Sequence, residues 1–233
     1  LLRWTDPQLG SLAPAVFIAL AQETGYIVTL GDWVLDQAVQ QAACWLRAGT
    51  PMAVSVNISA LEFRQPDFVE KLSQLLQLHG LPAKLLELEL TESIFFQNTQ
   101  ESSLRLEALV ALGVSLTIDD FGAGHFSFAY LKQLPISKLK IDQSFVRSLT
   151  SNSGSYAIVS TIVHLGQALR IDVLAKGVET QLQHAALERL GCVSYQGYLC
   201  APALTPSAFD VLRATRAAST ARIQPETKPF QSM

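Results

Sequence analysis

The sequence predicts an α/β fold built on a parallel sheet. Three observations carry that prediction. Short β-branched or alternating apolar runs recur at intervals of roughly 20–35 residues, and a helical stripe follows each, the pattern of strand–helix–strand units. Apolar residues fill 49% of the 233 positions and charged residues 16%, enough to bury a large core. Polar residues, most of them carboxylates, collect where the strands end.

The elements follow in order. A helix over 31–48 sets Leu35, Ala38, Ala42, Trp45 and Leu46 at helical spacing, and Gly49 with Pro51 stops it. Val54 to Ser59 is the first strand. Phe68, Leu72, Leu75 and Leu76 stripe the next helix, closed by Gly80 and Pro82. Leu86 to Thr91 reads Leu-Glu-Leu-Glu-Leu-Thr, the period-two alternation of a strand. Leu104, Ala108 and Leu112 mark a helix ending at Gly113, and Val114 to Asp119 is a strand again. A short helix around 127–133 leads to the strand Lys138 to Asp142. Ile158, Ile162, Leu165 and Leu169 line a long amphipathic helix, followed by the strand Ile171 to Ala175. Thr180 and Gln183 have the spacing of a capping box, opening a helix that ends at Gly191. Cys192 to Leu199 is the last strand, and a helix around 206–217 follows. The polar stretch from Ser219 to Met233 holds two prolines and is expected to be mobile.

Composition narrows the function. The net charge of −3, with no Lys/Arg run, argues against a duplex nucleic-acid partner, which needs a basic stripe. It leaves room for a small anionic ligand held by a few local cations. Cys44, Cys192 and Cys200 are odd in number, form no C-x-x-C and sit in apolar stretches. That pattern excludes a disulfide framework and a thiolate zinc site, and predicts buried free thiols in a reducing compartment. No apolar run approaches the ~18 residues of a membrane helix. A cytoplasmic location is expected, with tethering left to any membrane segment elsewhere in a longer protein. Leu1-Leu2-Arg3-Trp4 has neither an initiator Met nor a signal peptide, so the chain is expected to be cut from something longer.

Two architectures fit six strand–helix units: an open doubly wound sheet and a TIM-like barrel. The strand ends bear on this choice. They carry Asn57 and Ser59, Glu89 and Glu92, Asp119 and Asp120, Lys140 and Asp142, Lys176 and Glu179, and Gln196. In a barrel they converge on one face. So many acids in one place need a cationic partner, and carboxylates with an amide carbonyl suit magnesium, manganese or calcium. His79, His125, His164 and His184 show no ligand spacing. Asp120-Phe121-Gly122 and Gly122-x-Gly124 match a kinase triplet and part of a dinucleotide fingerprint, but neither has the required context.

Six motifs together are far more specific. Val56-Asn57-Ile58-Ser59, Glu89-Leu-Thr-Glu92, Asp119-Asp120-Phe-Gly122, Leu139-Lys-Ile-Asp142, Gly177-Val-Glu-Thr180 and Gln196-Gly-Tyr198 stand in an order and spacing that resembles the EAL domain, a family of bacterial cyclic-di-GMP phosphodiesterases. The likeness runs from residue 1 to about 210, which suggests an EAL domain over 1–213 and a polar tail over 214–233. It implies a modified TIM barrel with one antiparallel strand, the first strand lying upstream of this chain. It also implies water attack on one phosphodiester of cyclic di-GMP, giving the linear dinucleotide, with two Mg²⁺ or Mn²⁺ ions in the two-metal arrangement and calcium as an expected inhibitor. By the resemblance, Asn57, Glu89 and Asp119 are ligands of the first metal. Asp120 and Glu179 serve the second, and Asp142 is a further carboxylate nearby. Lys140 is the cation beside water and phosphate, Gln196 a water-side contact, and Glu92 the brace of the loop after Asp120. Leu1 and Arg3 fall on the substrate-binding edge, where a guanidinium can grip a phosphate. A homodimer and an upstream regulatory domain are family expectations.

The chain departs from the family in three places. Leu1 aligns with the leucine of the signature triplet, so the metal-binding glutamate lies two residues upstream. Lys176 stands where the family has the glutamate usually assigned as general base, a role whose loss typically costs about 10²–10⁴-fold. An ammonium ~5 Å from a divalent ion is repelled by roughly 6–7 kcal/mol at an effective dielectric of ~20. Lys176 can therefore deprotonate, swing away, or act as a fixed cation on Asp120 or a ligand phosphate. Third, Ala123, His125 and Phe126 replace the usual Thr, Tyr and Ser of the loop after the paired aspartates. Three readings stay open: a phosphodiesterase that tolerates Lys176, a cyclic-di-GMP receptor impaired in hydrolysis, and a protein-interaction scaffold. Retention of the other site residues argues against the scaffold, and Lys176 favours the receptor.

Overall fold

The central strands of the main sheet are buried on both faces, and each new strand joins the one before it. The structure is a computed structural model that describes residues 2–96, 100–124 and 131–221. Two three-residue strands, β1 (Trp4–Asp6) and β2 (Gly10–Leu12), pair antiparallel. Helices α1 (Pro14–Glu23) and α2 (Ile27–Arg47) follow. The sheet proper then begins with β3 (Val54–Ile58), followed by α3 (Ala60–Phe63) and α4 (Phe68–His79). Next come β4 (Leu86–Thr91), α5 (Glu92–Phe96), α6 (Gln100–Leu112) and β5 (Ser115–Phe121). The rest of this unit is β6 (Lys138–Ile141), α7 (Gln143–Ser148), α8 (Ser153–Leu169), β7 (Asp172–Lys176), α9 (Gln181–Arg189) and β8 (Ser194–Gln196). Residues from Ala201 onward group as a separate unit, whose described element is α10 (Pro206–Ala221).

The six strands lie in chain order, β3-β4-β5-β6-β7-β8, and every neighbouring pair is parallel. A doubly wound sheet reverses its strand order at a switch point. No reversal occurs here, and the sheet curls into a half-barrel. The question the sequence left open is settled for the barrel type. One face is apolar: Leu86, Leu88 and Leu90 of β4, Ile118 of β5, Leu139 and Ile141 of β6 and Ala175 of β7 are fully buried. They pack in one core with Val39 of α2, Leu72 of α4, Leu109 of α6 and Val159 of α8. Each buried Leu, Ile or Val side chain contributes on the order of 1.5–3 kcal/mol. The other face is polar and concave, and it holds the site.

Several element boundaries differ from expectation for physical reasons. Helix α2 begins at Ile27 rather than 31, because Ile27 and Gly31 extend its buried stripe. Strand β5 runs on to Phe121, past a register shift against β6. Strand β8 is only three residues long. It stops at Gly197, where a Cβ would come within 2.2 Å of the Val178 carbonyl oxygen. The β1–β2 hairpin and α1 carry too little periodicity to be anticipated. Cys192 is buried as predicted and burial raises its thiol pKa to about 11, but Cys44 is exposed, because it points away from the Leu35–Val39–Ala42 stripe of α2. Leu1, most of the expected 127–133 helix, His125 and Phe126, and the tail beyond Ala221 lie outside the described residues.

Candidate active site

Registered residues of parallel strands project to the same side of a sheet. The register sets Asn57 beside Glu89 and Glu89 beside Thr117, Thr117 beside Lys138, and Lys176 beside Gln196. The concave face is thus polar along its length, and ion pairs lace it in layers. In the lowest layer Lys138 pairs with Glu87, which also accepts from the Ser55 hydroxyl at 3.0 Å. One layer up, Lys140 Nζ donates to Glu89 Oε1 at 2.6 Å, and both side chains are 6% exposed. Each pair joins β6 to β4 over the intervening β5. Burial alone would raise the Glu87 pKa, but the Lys138 ammonium and the Ser55 hydroxyl outweigh it and hold the carboxyl below its ordinary value.

The top layer is formed by Lys176, at the end of β7. Its Nζ lies 2.7 and 2.8 Å from the two carboxylate oxygens of Asp119 and 2.7 Å from Asp120 Oδ1. An ammonium has three hydrogens, and each has a carboxylate oxygen. Two successive strand residues ordinarily face opposite sides of a sheet. Asp120 escapes that rule because its φ of 52° lies in the left-handed region, at the register shift that ends β5. Aspartate tolerates this conformation better than most residues. The twist brings the second carboxylate round to the side of the first. Burial tends to lower the Lys176 pKa, but the two aspartates outweigh it and raise the value. Burial raises the Asp120 pKa, aided by the charges of Asp119 and Asp142 against the opposing effect of Lys176.

Asp142 caps α7, its Oδ1 accepting from the Ser144 amide at 2.8 Å and from the Ser144 hydroxyl. Burial acts to raise its pKa, and the Ser144 bonds overcome that and lower it. Glu92, at the start of α5, is buried. Its Oε1 accepts from the Gly122 amide at 2.7 Å, and its Oε2 lies 2.1 Å from where a Cβ on Gly124 would be. It therefore ties the end of β4 to the turn after Asp120, where the sequence sought a brace. Asn57 and Gln196 stand near the ends of β3 and β8, and Glu179 lies between β7 and α9; all three are exposed. Arg3 is exposed with its guanidinium on the Leu2 carbonyl, and no ion pair joins it to the acidic cluster among the described residues.

The concave face thus brings together Glu89, Asp119, Asp120, Lys140 and Lys176 but divides them between two ammonium groups. Among the described residues no group of three or more His, Cys, Asp or Glu is placed to hold a metal ion. Glu89 is closed on Lys140, and Asp119 with Asp120 is closed on Lys176. So arranged, these donors do not fit the two divalent ions that the motif resemblance implies. The histidines also sit apart: His79 pairs with Asp36 at 2.9 Å, and His184 faces Glu188 at 3.5 Å. Glu87 and Lys138 also line this face, although neither stands at the C-terminal end of its strand. The sequence carries a signal for both, since each stands two residues before a site residue of its own strand and so shares its face.

Known proteins share this arrangement of motifs and strands. The cyclic di-GMP phosphodiesterase PA2567 of Pseudomonas aeruginosa is 35% identical over 210 residues, 90% of this chain and 36% of its own length. The bifunctional diguanylate cyclase/cyclic di-GMP phosphodiesterase MucR of the same organism is 46% identical over 200 residues, 85% of this chain and 29% of its own length. The chain spans less than a third of the curated relatives it matches first. The solved PaMucR phosphodiesterase in complex with c-di-GMP superposes with a TM-score of 0.82 at 46% identity, covering 85% of this chain and 81% of that one. The family model described as the EAL domain matches residues 1–203, which takes in the whole half-barrel and every ion pair on its concave face. With six motifs in order, a parallel sheet in chain order and relatives of this identity, the chain belongs to the EAL domain family.

Proposed function

We propose that this domain binds cyclic di-GMP and is impaired in hydrolysing it. The observation that carries the reading is the Lys176 ammonium seated on Asp119 and Asp120. The solved relative with c-di-GMP bound, at 46% identity, supports the ligand. The ligand's phosphates are anionic, and the concave face offers Lys140 and Lys176 within it; Arg3 is an exposed cation that the motif resemblance assigns to a phosphate. Lys140 is held in place by Glu89, one layer beneath Lys176. Hydrolysis asks for more: a group that takes a proton from the attacking water. A protonated lysine engaged by three carboxylate oxygens cannot accept that proton, and its raised pKa keeps it protonated at neutral pH. Asp142 is committed to Ser144, and Glu179 is exposed at the rim. The domain therefore holds the dinucleotide and cuts it slowly or not at all.

A second reading is an active cyclic-di-GMP phosphodiesterase, favoured by the retained Asn57, Glu89, Asp119, Asp120 and Asp142 and by relatives named as such enzymes. The same experiment separates the two. In the protein that carries this domain, incubated with cyclic di-GMP and Mg²⁺ or Mn²⁺, Lys176→Glu should raise turnover to the linear dinucleotide by about 10²–10⁴-fold. Equal rates for the two proteins would exclude Lys176 as the block. A rapid wild-type rate would establish the enzyme.

A further inference from the structure

Lys176 is where a solvent cation would otherwise have to be recruited. Asp119 and Asp120 would repel one another if both were charged and unpartnered. The left-handed turn at Asp120 nevertheless aims both at one point, and Lys176 Nζ occupies that point with contacts of 2.7–2.8 Å. The side chain is partly buried, 23% exposed, and reaches from β7 across β6 to β5. Glu89, the next acid on the face, is neutralised separately by Lys140. Glu89 thus has an ammonium to itself, and Asp119 and Asp120 share one. A divalent ion arriving there would have to displace an ammonium that retains all three of its hydrogen bonds.

We propose that Lys176 is the resident cation of this site, and that the domain takes its phosphate ligand without a divalent metal. The proposal rests on the cyclic-di-GMP reading for the identity of the ligand, but its metal arm stands without it. Mn²⁺ alone is titrated onto the protein carrying this domain and followed by loss of the free-ion paramagnetic resonance signal. Wild type is expected to show no saturable binding attributable to this site at up to about millimolar Mn²⁺. Lys176→Met, which removes the charge and keeps the stem, should gain saturable binding, and Lys176→Glu should bind about tenfold tighter than Lys176→Met by adding a carboxylate. Cyclic-di-GMP affinity of the wild type should change by less than about twofold between excess EDTA and millimolar Mg²⁺.

The proposal is overturned if wild-type protein binds Mn²⁺ as tightly as Lys176→Glu. It is equally overturned if EDTA weakens wild-type cyclic-di-GMP binding by about tenfold or more. Melting curves report whether the variants fold, and the two wild-type measurements decide the matter even where they do not. Absence of cyclic-di-GMP binding in both EDTA and Mg²⁺ would overturn the functional reading, leaving the Mn²⁺ titration to judge the role of Lys176.

Discussion

Glu62 shows what a single buried carboxyl can cost. It forms the capping box of α3, its Oε2 accepting from the Ser59 amide at 2.9 Å and the Ser59 hydroxyl accepting from the Glu62 amide. Its other oxygen, Oε1, is buried against Gly31 of α2 with no hydrogen-bond partner among the described residues. Burial raises its pKa, and the charge of Asp32 adds to the effect. The folded state therefore holds the Glu62 proton more tightly than the unfolded chain does. Stability is lost as pH rises from the ordinary glutamate range through the raised folded value. Glu62→Gln keeps the cap and removes the charge. It should raise the melting temperature at pH 7 by a few degrees, roughly 2–4 °C for each kcal/mol regained, and the gain should vanish below the ordinary glutamate pKa. An equal gain at pH 4 and pH 7 would refute this account. Asp120 belongs to the same scale. Its paired carboxylate is evident in the sequence, but its left-handed φ is not, because an aspartate in a strand gives no sign that the next turn will reverse its face.

At the level of elements, the Glu92 contact joins the end of β4 to the turn after β5. That turn fixes Asp120, so the brace acts on the site through the backbone. A methyl group on Gly124 would meet the Glu92 carboxylate at 2.1 Å and push it off the Gly122 amide. Gly124→Ala should cost about 1–3 kcal/mol, the price of a buried hydrogen bond to a charged group. Amide exchange at Phe121 and Gly122 should accelerate while β4 stays protected; unchanged exchange would show that the loop needs no brace. The long helices and most strands of the half-barrel were legible because each carries four or more residues at a fixed period; the short helices α3, α5 and α7 are too brief to show one. The β1–β2 hairpin was not, since strands of three residues show barely one alternation. The shortness of β8 was hidden for a different reason: its end is set by the approach of Gly197 to the Val178 backbone, a contact between residues on either side of helix α9.

For the whole molecule, the concave face is a set of ties between strands that are not neighbours. Carboxylates stand on β4 and β5, lysines on β6 and β7, and each tie crosses one strand. Removing one member leaves a charge stranded in a buried place. Lys140→Met should lower global stability by roughly 3–5 kcal/mol, and adding Glu89→Leu should restore most of it. Chemical denaturation of the single and double variants measures both, and a double variant no better than the single would contradict the argument. The half-barrel was foreseen from strand–helix alternation and from the motifs. The pairing of Lys176 with Asp120 was one of three fates that the sequence allowed it. The lower ties were not foreseen, because the reading attended to strand ends and Glu87 and Lys138 lie a layer beneath them.

The left-handed turn at Asp120 has a consequence for descent. The carboxylate pair is assembled by the backbone, at a register shift in β5, and needs no bound ion to aim it. Whatever occupies position 176 meets a receptacle already formed. Lysine and glutamate codons differ by a single base. One nucleotide change therefore separates a domain that carries its own positive charge from one that must draw it from solution.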